Sequence, residues 1–335
     1  MKRWQTLLIG IGVSALALFF VFRQADLSRI AAAFQQARYE YILLTALIYV
    51  GLVLIRGYRW HILADRRLSF GDAFWLFNIG FLLNNVLPAK LGEVARAVLA
   101  GRKPGLQFGR AASSVVVERL FDLVAVVTQL TVAILLLDLP QWATNAAVIG
   151  GVGSFTLVGV LAYAARNPEG ALALVGRVLA ILPFFDRDQA DDFLQPFIDG
   201  LAGVSDPRIF AAGLSLSLVG WFLSGVSGWV LMYAFWPEAP FIMGHLAVAA
   251  AGLGMAVPGA PSGLGTFHAA VVGVFVALGY DPDISRSYAF ALHGYNLIVP
   301  SLFGLFALLR EGLTFNQVVR AAQDAQDEQP APTVP

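Results

Sequence analysis

Apolar residues gather into long runs along the chain, and polar residues punctuate them. Runs of membrane-crossing length lie at about 5–22, 41–60, 120–138, 145–165, 209–235 and 287–309. A helix needs about 20 such residues to cross about 30 Å of hydrocarbon. Two further regions are apolar but interrupted. One covers 73–101 and breaks at "NNVLPAKLGE"; the other covers 242–280 and breaks at "PGAPSGLGT". Each reads as two short helical pieces around a break, because Pro removes a helical donor and Gly permits unusual backbone angles. The expected fold is all-α. It is a polytopic transmembrane bundle of about six full spans and two broken, re-entrant hairpins, filling residues 1–311.

The first run follows "MKRW", a basic start like that of a signal sequence. It is long for such a segment and ends in "RQADLSR" without a small-residue cleavage site, so it reads as a retained span. Residues 168–207 are too polar to cross. Phe193, Phe197, Leu201 and Val204 recur there at helical spacing with acids between them, which predicts helices lying in the cytoplasmic interface. Residues 312–335 end polar and Pro-rich and are expected to be disordered.

Lys and Arg in the connections set an orientation. "RGYRWHILADRR" (56–67), "GRKPGLQFGR" (101–110) and the segment 165–210 are basic, and the last run ends at Arg310. "DLPQWATN" (138–145) and "WPEAPF" (236–241) carry no Lys or Arg. The first set is expected on the cytoplasmic side of the inner membrane, with the C-terminus. The three Arg of 23–38, which fall outside, run against the rule. On this scheme the first hairpin enters from the cytoplasm and the second from the opposite face. Interrupted segments at matching places in two halves point to an inverted repeat around a central site.

Composition agrees: 58% of the 335 residues are hydrophobic, 13% are charged, and the mean hydropathy is +0.71, which no soluble domain could bury. Net charge is zero and no basic face stands out, so nucleic acid is not an expected partner. The absence of cysteine excludes disulfides and thiolate chemistry. His61, His245, His268 and His293 lack metal-ligand spacing, so neither metal nor cofactor is expected.

Candidate chemistry sits at the breaks. Irregular backbone at membrane depth survives only when buried in protein or facing a wet cavity. Asn84 and Asn85 would satisfy backbone freed by Pro88 and Gly92. A helix restarting near Leu91 would aim its first amides at an anion, with Lys90 and Arg96 adding positive charge. That suits a phosphate-bearing head group, with Glu93 pairing with Arg96 or meeting a cation. The alternative is a solvated turn at the cytoplasmic surface. Glu118, Arg119 and Asp122 open an apolar helix. Three charges there imply pairing or an aqueous cavity, or else a salt-bridged anchor at the interface. Arg56 and Arg59 read as snorkelling anchors. The second break offers Pro258, Ser262, Gly263, Gly265 and His268, either as part of a head-group path or as a turn for close helix packing. His268 alone reads more readily as a structural histidine.

The motifs "NNVLPAKLGEVARAVLA", "VVVERLFDLV" and "VPGAPSGLGTFHAA" together resemble the lysylphosphatidylglycerol synthase transmembrane-region family. That family includes the membrane-embedded flippase part of the bacterial multiple peptide resistance factor. The resemblance covers about residues 5–311. It implies a lipid-translocating unit with a central polar cavity. Pro88, Gly92, Glu93 and Arg96 would match the first motif, Glu118, Arg119 and Asp122 the second, and Pro258, Gly263 and Gly265 the third. His268 stands where the family often carries an acid, which weighs against a cationic head group. The family's aminoacyl transfer resides in a separate soluble domain, and about 25 residues follow the last span here. The expectation is therefore a non-enzymatic protein with no catalytic residue, whose partners are membrane lipids and enzymes of lipid biosynthesis. It would move an amphiphilic phospholipid or polyprenyl phosphate between leaflets. The alternatives are an intramembrane lipid-modifying enzyme using Glu118 or Asp122 as base, and an accessory subunit of envelope lipid synthesis.

Overall fold

A computed structural model describes residues 3–87, 90–137, 141–167, 170, 206–257 and 260–327. Every regular element among them is helical: α1 (Arg3–Phe22), α2 (Leu27–Gln35), α3 (Tyr39–Leu63), α4 (Phe70–Val86), α5 (Leu91–Gly101), α6 (Phe108–Leu135), α7 (Gln141–Arg166), α8 (Pro207–Met232), α9 (Phe241–Ala256), a 3-10 turn (Pro261–Gly263), α10 (Thr266–Ala277), α11 (Pro282–Arg310) and α12 (Phe315–Asp327). Short polar side chains start several of them. Asp26 caps α2, Ser69 α4, Asp206 α8 and Asp281 α11, each accepting from amides of the first turn.

α3, α7, α8 and α11 are long and apolar enough to cross a membrane. α1, at 20 residues, and α6, at 28, also have the length, and α6 carries Glu118, Arg119 and Asp122 within it. α4–α5 and α9–α10 form the two hairpins, with breaks at the expected places.

Contacts between helix ends show which way each hairpin opens. Arg38, just before α3, donates from its backbone N–H to Ala234 O (3.0 Å) and from Nη2 to Trp236 O (2.7 Å). Arg286, near the start of α11, donates from Nε to Val21 O at the end of α1 (2.6 Å). Tyr280, just past α10, sets its ring 5.5 Å from Trp236. The starts of α3, α9 and α11 and the end of α10 thus share one end of the bundle. At the other end, the Lys103 ammonium past α5 bridges Asp72 of α4 (2.9 Å) and Glu311 just past α11 (2.8 Å). The hairpins therefore open onto opposite ends, as an inverted repeat requires.

Both breaks come to the middle of α11. Asn85 Nδ2, at the end of α4, donates to Ser301 Oγ (3.0 Å) and Leu297 O (3.3 Å). Ser262 O, in the second break, lies 3.2 Å from His293 Nε2. His293 and Leu297 are one turn apart, about 6 Å along the axis. The 3-10 turn also packs on α4, so the first hairpin touches the second. α1 supports this meeting point: Ser14 Oγ accepts from the Ala260 N–H (2.6 Å).

Two expectations are corrected. Residues 312–335 were expected to be disordered, yet Phe315–Asp327 is helical. Thr314 and Gln317 form a capping box, with Thr314 N–H to Gln317 Oε1 (2.8 Å) and Gln317 N–H to Thr314 Oγ1 (3.3 Å). Val318 and Ala322, one turn apart, bury against α5. Gly92 supplies room and not an unusual backbone angle. It lies inside α5, where a methyl group would run into Gly80 O and into Asn84 Oδ1. Among the described residues, the left-handed one at the first break is Lys90 (φ +53°). Pro88, Pro258 and nearly all of the interfacial segment 168–207 lie outside the described residues.

Candidate functional site

Six charged side chains from three helices meet beside the first hairpin. Arg59 comes from α3, Glu93 and Arg96 from α5, and Glu118, Arg119 and Asp122 from α6. Helical spacing puts Glu118 and Asp122 on one face of α6, turned toward α3. Arg96 grips Glu118 with both ends of its fork, Nη1 to Oε2 at 3.1 Å and Nη2 to Oε1 at 2.9 Å. Arg59 Nη2 reaches the same carboxylate at 3.2 Å and Arg119 Nη2 at 2.8 Å. Glu118 is thus the hub of three guanidinium groups and is fully buried.

Asp122 accepts both amino groups of Arg59 and the Trp221 Nε1–H (3.0 Å), and Arg59 Nη1 also donates to Ser217 Oγ (2.8 Å). Arg119 closes the network by reaching Glu93 at 3.2 Å and Asp122 at 3.4 Å. The Arg96 guanidinium lies over the rings of Trp60 (4.8 Å) and Phe77 (5.1 Å), which adds cation–π attraction in a dry setting. Three cations face three carboxylates. Such balance is what makes buried charge tolerable, since an unpaired buried ion costs several kcal/mol.

This arrangement corrects two pairings. Glu93 pairs with Arg119, not with Arg96. Arg96 is 2% exposed and bound to Glu118, so its charge is not offered to an incoming anion in this state. Arg59, read as a snorkelling anchor, is 3% exposed and central.

Around the first break, Asn84 Oδ1 accepts from the Gly92 N–H (2.9 Å) and so splints the interruption. Asn85 anchors to α11 as described, and Lys90 is exposed and makes no ion pair among the described residues. The second break is a separate cluster. Ser262 (φ +54°), Gly263 (+68°) and Gly265 (+94°) hold left-handed backbone. His268 Nδ1 accepts from the Gly265 N–H at 3.4 Å, its ring stands 4.8 Å from that of His293, and Nε2 is buried without a partner among the described residues. The structure therefore unites the residues of the first two motifs in one network. The third meets them through α4 and α11, and through the packing of α9 on α6. No group of three or more His, Asp or Glu among the described residues is placed to hold a metal ion.

Long apolar helices, opposed hairpins and a buried balanced ion network define a multi-pass α-helical membrane protein. The chain belongs to the lysylphosphatidylglycerol synthase transmembrane-region family, whose profile matches residues 7–304. A UPF0104 membrane protein of Methanothermobacter thermautotrophicus is 22% identical over 87% of this chain and 90% of its own length. A UPF0104 membrane protein of Methanocaldococcus jannaschii is 26% identical over 71% of this chain and 94% of its own. The glycosyltransferase AglD of Haloferax volcanii is 23% identical over 97% of this chain but only 57% of its own length. These relatives are archaeal, so the family is not confined to bacteria.

Proposed function

We propose that the protein moves an amphiphilic, phosphate-bearing lipid between the two leaflets, its head group passing the broken hairpins while the acyl chains stay in the bilayer. One observation carries this reading: two hairpins entering from opposite ends meet at the middle of α11, and the helices of the first hairpin also carry part of the six-charge network. Breaks of this kind at matched positions are how secondary transporters build a midplane binding site. Arg119, 37% exposed, with partly exposed Glu93 and Asp122, forms the side of the network that a head group would meet. In this reading the protein sits in the cytoplasmic membrane, and the Arg-rich end with Arg66, Arg67, Arg102 and Arg110 supports an orientation with that end and the C-terminus facing the cytoplasm.

The test is reconstitution in vesicles. Fluorescent phosphatidylglycerol or a fluorescent polyprenyl phosphate in the inner leaflet should become accessible to an impermeant quencher faster with protein than without. Rates that are the same with and without protein, for both lipids, would end the proposal.

The match to AglD favours a second reading, in which the bundle is the membrane part of a glycosyl transfer onto a lipid. Its weakness is chemical. Glu118 already accepts from three guanidinium groups and Asp122 from Arg59 and Trp221, so neither carboxylate stands free as a general base. A glycosylated lipid found by mass spectrometry with the wild-type protein and a nucleotide sugar, and absent with Asp122→Asn, would establish it.

A further inference from the structure

One cation inside the bundle stands apart from the balanced network. Arg56 lies on α3, one turn before Arg59 and seven residues before the helix ends at Leu63, about 10 Å along the axis. It is half-buried and has no carboxylate within ion-pair distance among the described residues. Its hydrogen-bond partner is the Tyr49 hydroxyl, which accepts from Nη1 at 3.3 Å. The guanidinium lies 5.8 Å from the Tyr49 ring centre and 5.7 Å from that of Phe81 on α4. The Tyr49 ring in turn stands 5.1 Å from that of Tyr295, between the two α11 positions that the breaks touch. Arg56 thus sits between the ion network and the meeting point of the hairpins.

We propose that Arg56 is the residue that binds the phosphate of the lipid, a role that the sequence suggests for Lys90, Arg96 and Arg119. The assignment rests on the translocation reading for its substrate class. A guanidinium carries five N–H donors, and a phosphate takes two of them in a planar fork. Arg56 has one donor engaged. Arg59, Arg96 and Arg119 are committed to carboxylates. The buried Tyr49 hydroxyl accepts from Arg56 and fixes the guanidinium's orientation. An intramembrane cation with no carboxylate in ion-pair contact is a functional group by default, and the Asp122 carboxylate, already held by Arg59, acts on Arg56 only from a distance. A phosphate beside Arg56 supplies a counter-ion in contact, while the net charge of the network stays zero.

The experiment measures lipid retention by native mass spectrometry on the full-length protein in detergent. Three probes are offered: phosphatidylglycerol (a phosphodiester), a polyprenyl monophosphate, and uncharged diacylglycerol. The wild type should retain at least one phosphorylated lipid about tenfold more tightly than diacylglycerol, as a charge-assisted fork implies. Whichever of the two is favoured names the phosphate type. Arg56→Gln should erase the preference, Arg56→Lys should keep part of it, and Arg66→Gln, at the exposed basic end, should leave it unchanged. A preference that survives Arg56→Gln, or a wild type that has none, overturns the assignment. If Arg56→Gln does not fold, a preference in Arg56→Lys equal to the wild type overturns it as well. Vesicles that flip lipid while Arg56→Gln keeps the preference would reject Arg56 and spare the translocation reading. Arg56-dependent retention by a protein that flips nothing would do the reverse.

Discussion

Arg96 and Glu118 meet end to end, two nitrogens on two oxygens at 3.1 and 2.9 Å, in a part of the bundle closed to solvent. Removing one member of such a pair leaves a buried charge uncompensated and costs about 3–5 kcal/mol. Glu118→Gln should therefore lower the unfolding temperature in detergent sharply, because three guanidinium groups lose their hub. The double variant Arg96→Gln with Glu118→Gln should recover part of the loss. Additive losses would show that the two side chains are not coupled.

The Gly80–Gly92 approach predicts a packing defect. A methyl on Gly92 would meet Gly80 O and Asn84 Oδ1, and one on Gly80 would meet Gly92 O at 2.8 Å. Overpacking of this kind costs about 1–3 kcal/mol. Gly92→Ala should destabilise the protein by at least that much in a thermal melt, and Gly109→Ala, where nothing lies within 4 Å and the backbone is helical, should do so less.

The opposed hairpins predict opposite labelling. The chain has no cysteine, so single cysteines report without a background. Arg66→Cys and Glu238→Cys, both exposed and at opposite ends of the bundle, should react with an impermeant maleimide from opposite sides of the membrane. Reaction from the same side would remove the inverted arrangement.

Asp26 predicts a local acid sensitivity. The Ser28 hydroxyl and the Arg29 and Ser28 amides hold its carboxyl below the ordinary aspartate value. A depressed carboxyl contributes stability that is complete above its unfolded value, about 3.9, and is lost as pH falls through the folded one. Amide exchange in the first turn of α2 should rise below about pH 4. Ser28→Ala should move that rise to higher pH.

The spans and breaks were legible because each is a local signal: a run of apolar residues, or a Pro/Gly interruption with nearby amides. The opposed entry of the hairpins was legible in the Lys/Arg bias of the connections. Arg59 was not, because its burial depends on Asp122 and Ser217, 63 and 158 residues away in the chain. Near a helix end, an Arg that snorkels and an Arg that dives inward look alike. The partner of Glu93 was misread for the same reason: Arg96 is three residues away on α5, but α6 presents Glu118 to it and Arg119 to Glu93. α12 was hidden by its low hydropathy, although the Thr314–Gln317 pair that starts it is visible in the sequence.

The six-charge network has a further consequence for a chain that lives in an electric field. Transmembrane voltage acts on net charge, about 2.3 kcal/mol per elementary charge per 100 mV. Three cations and three anions locked together feel opposing pulls that cancel. If α3, α5 and α6 move as one body, the network itself adds no electrical work, and the potential acts on Arg56 of α3 until a bound phosphate offsets its charge.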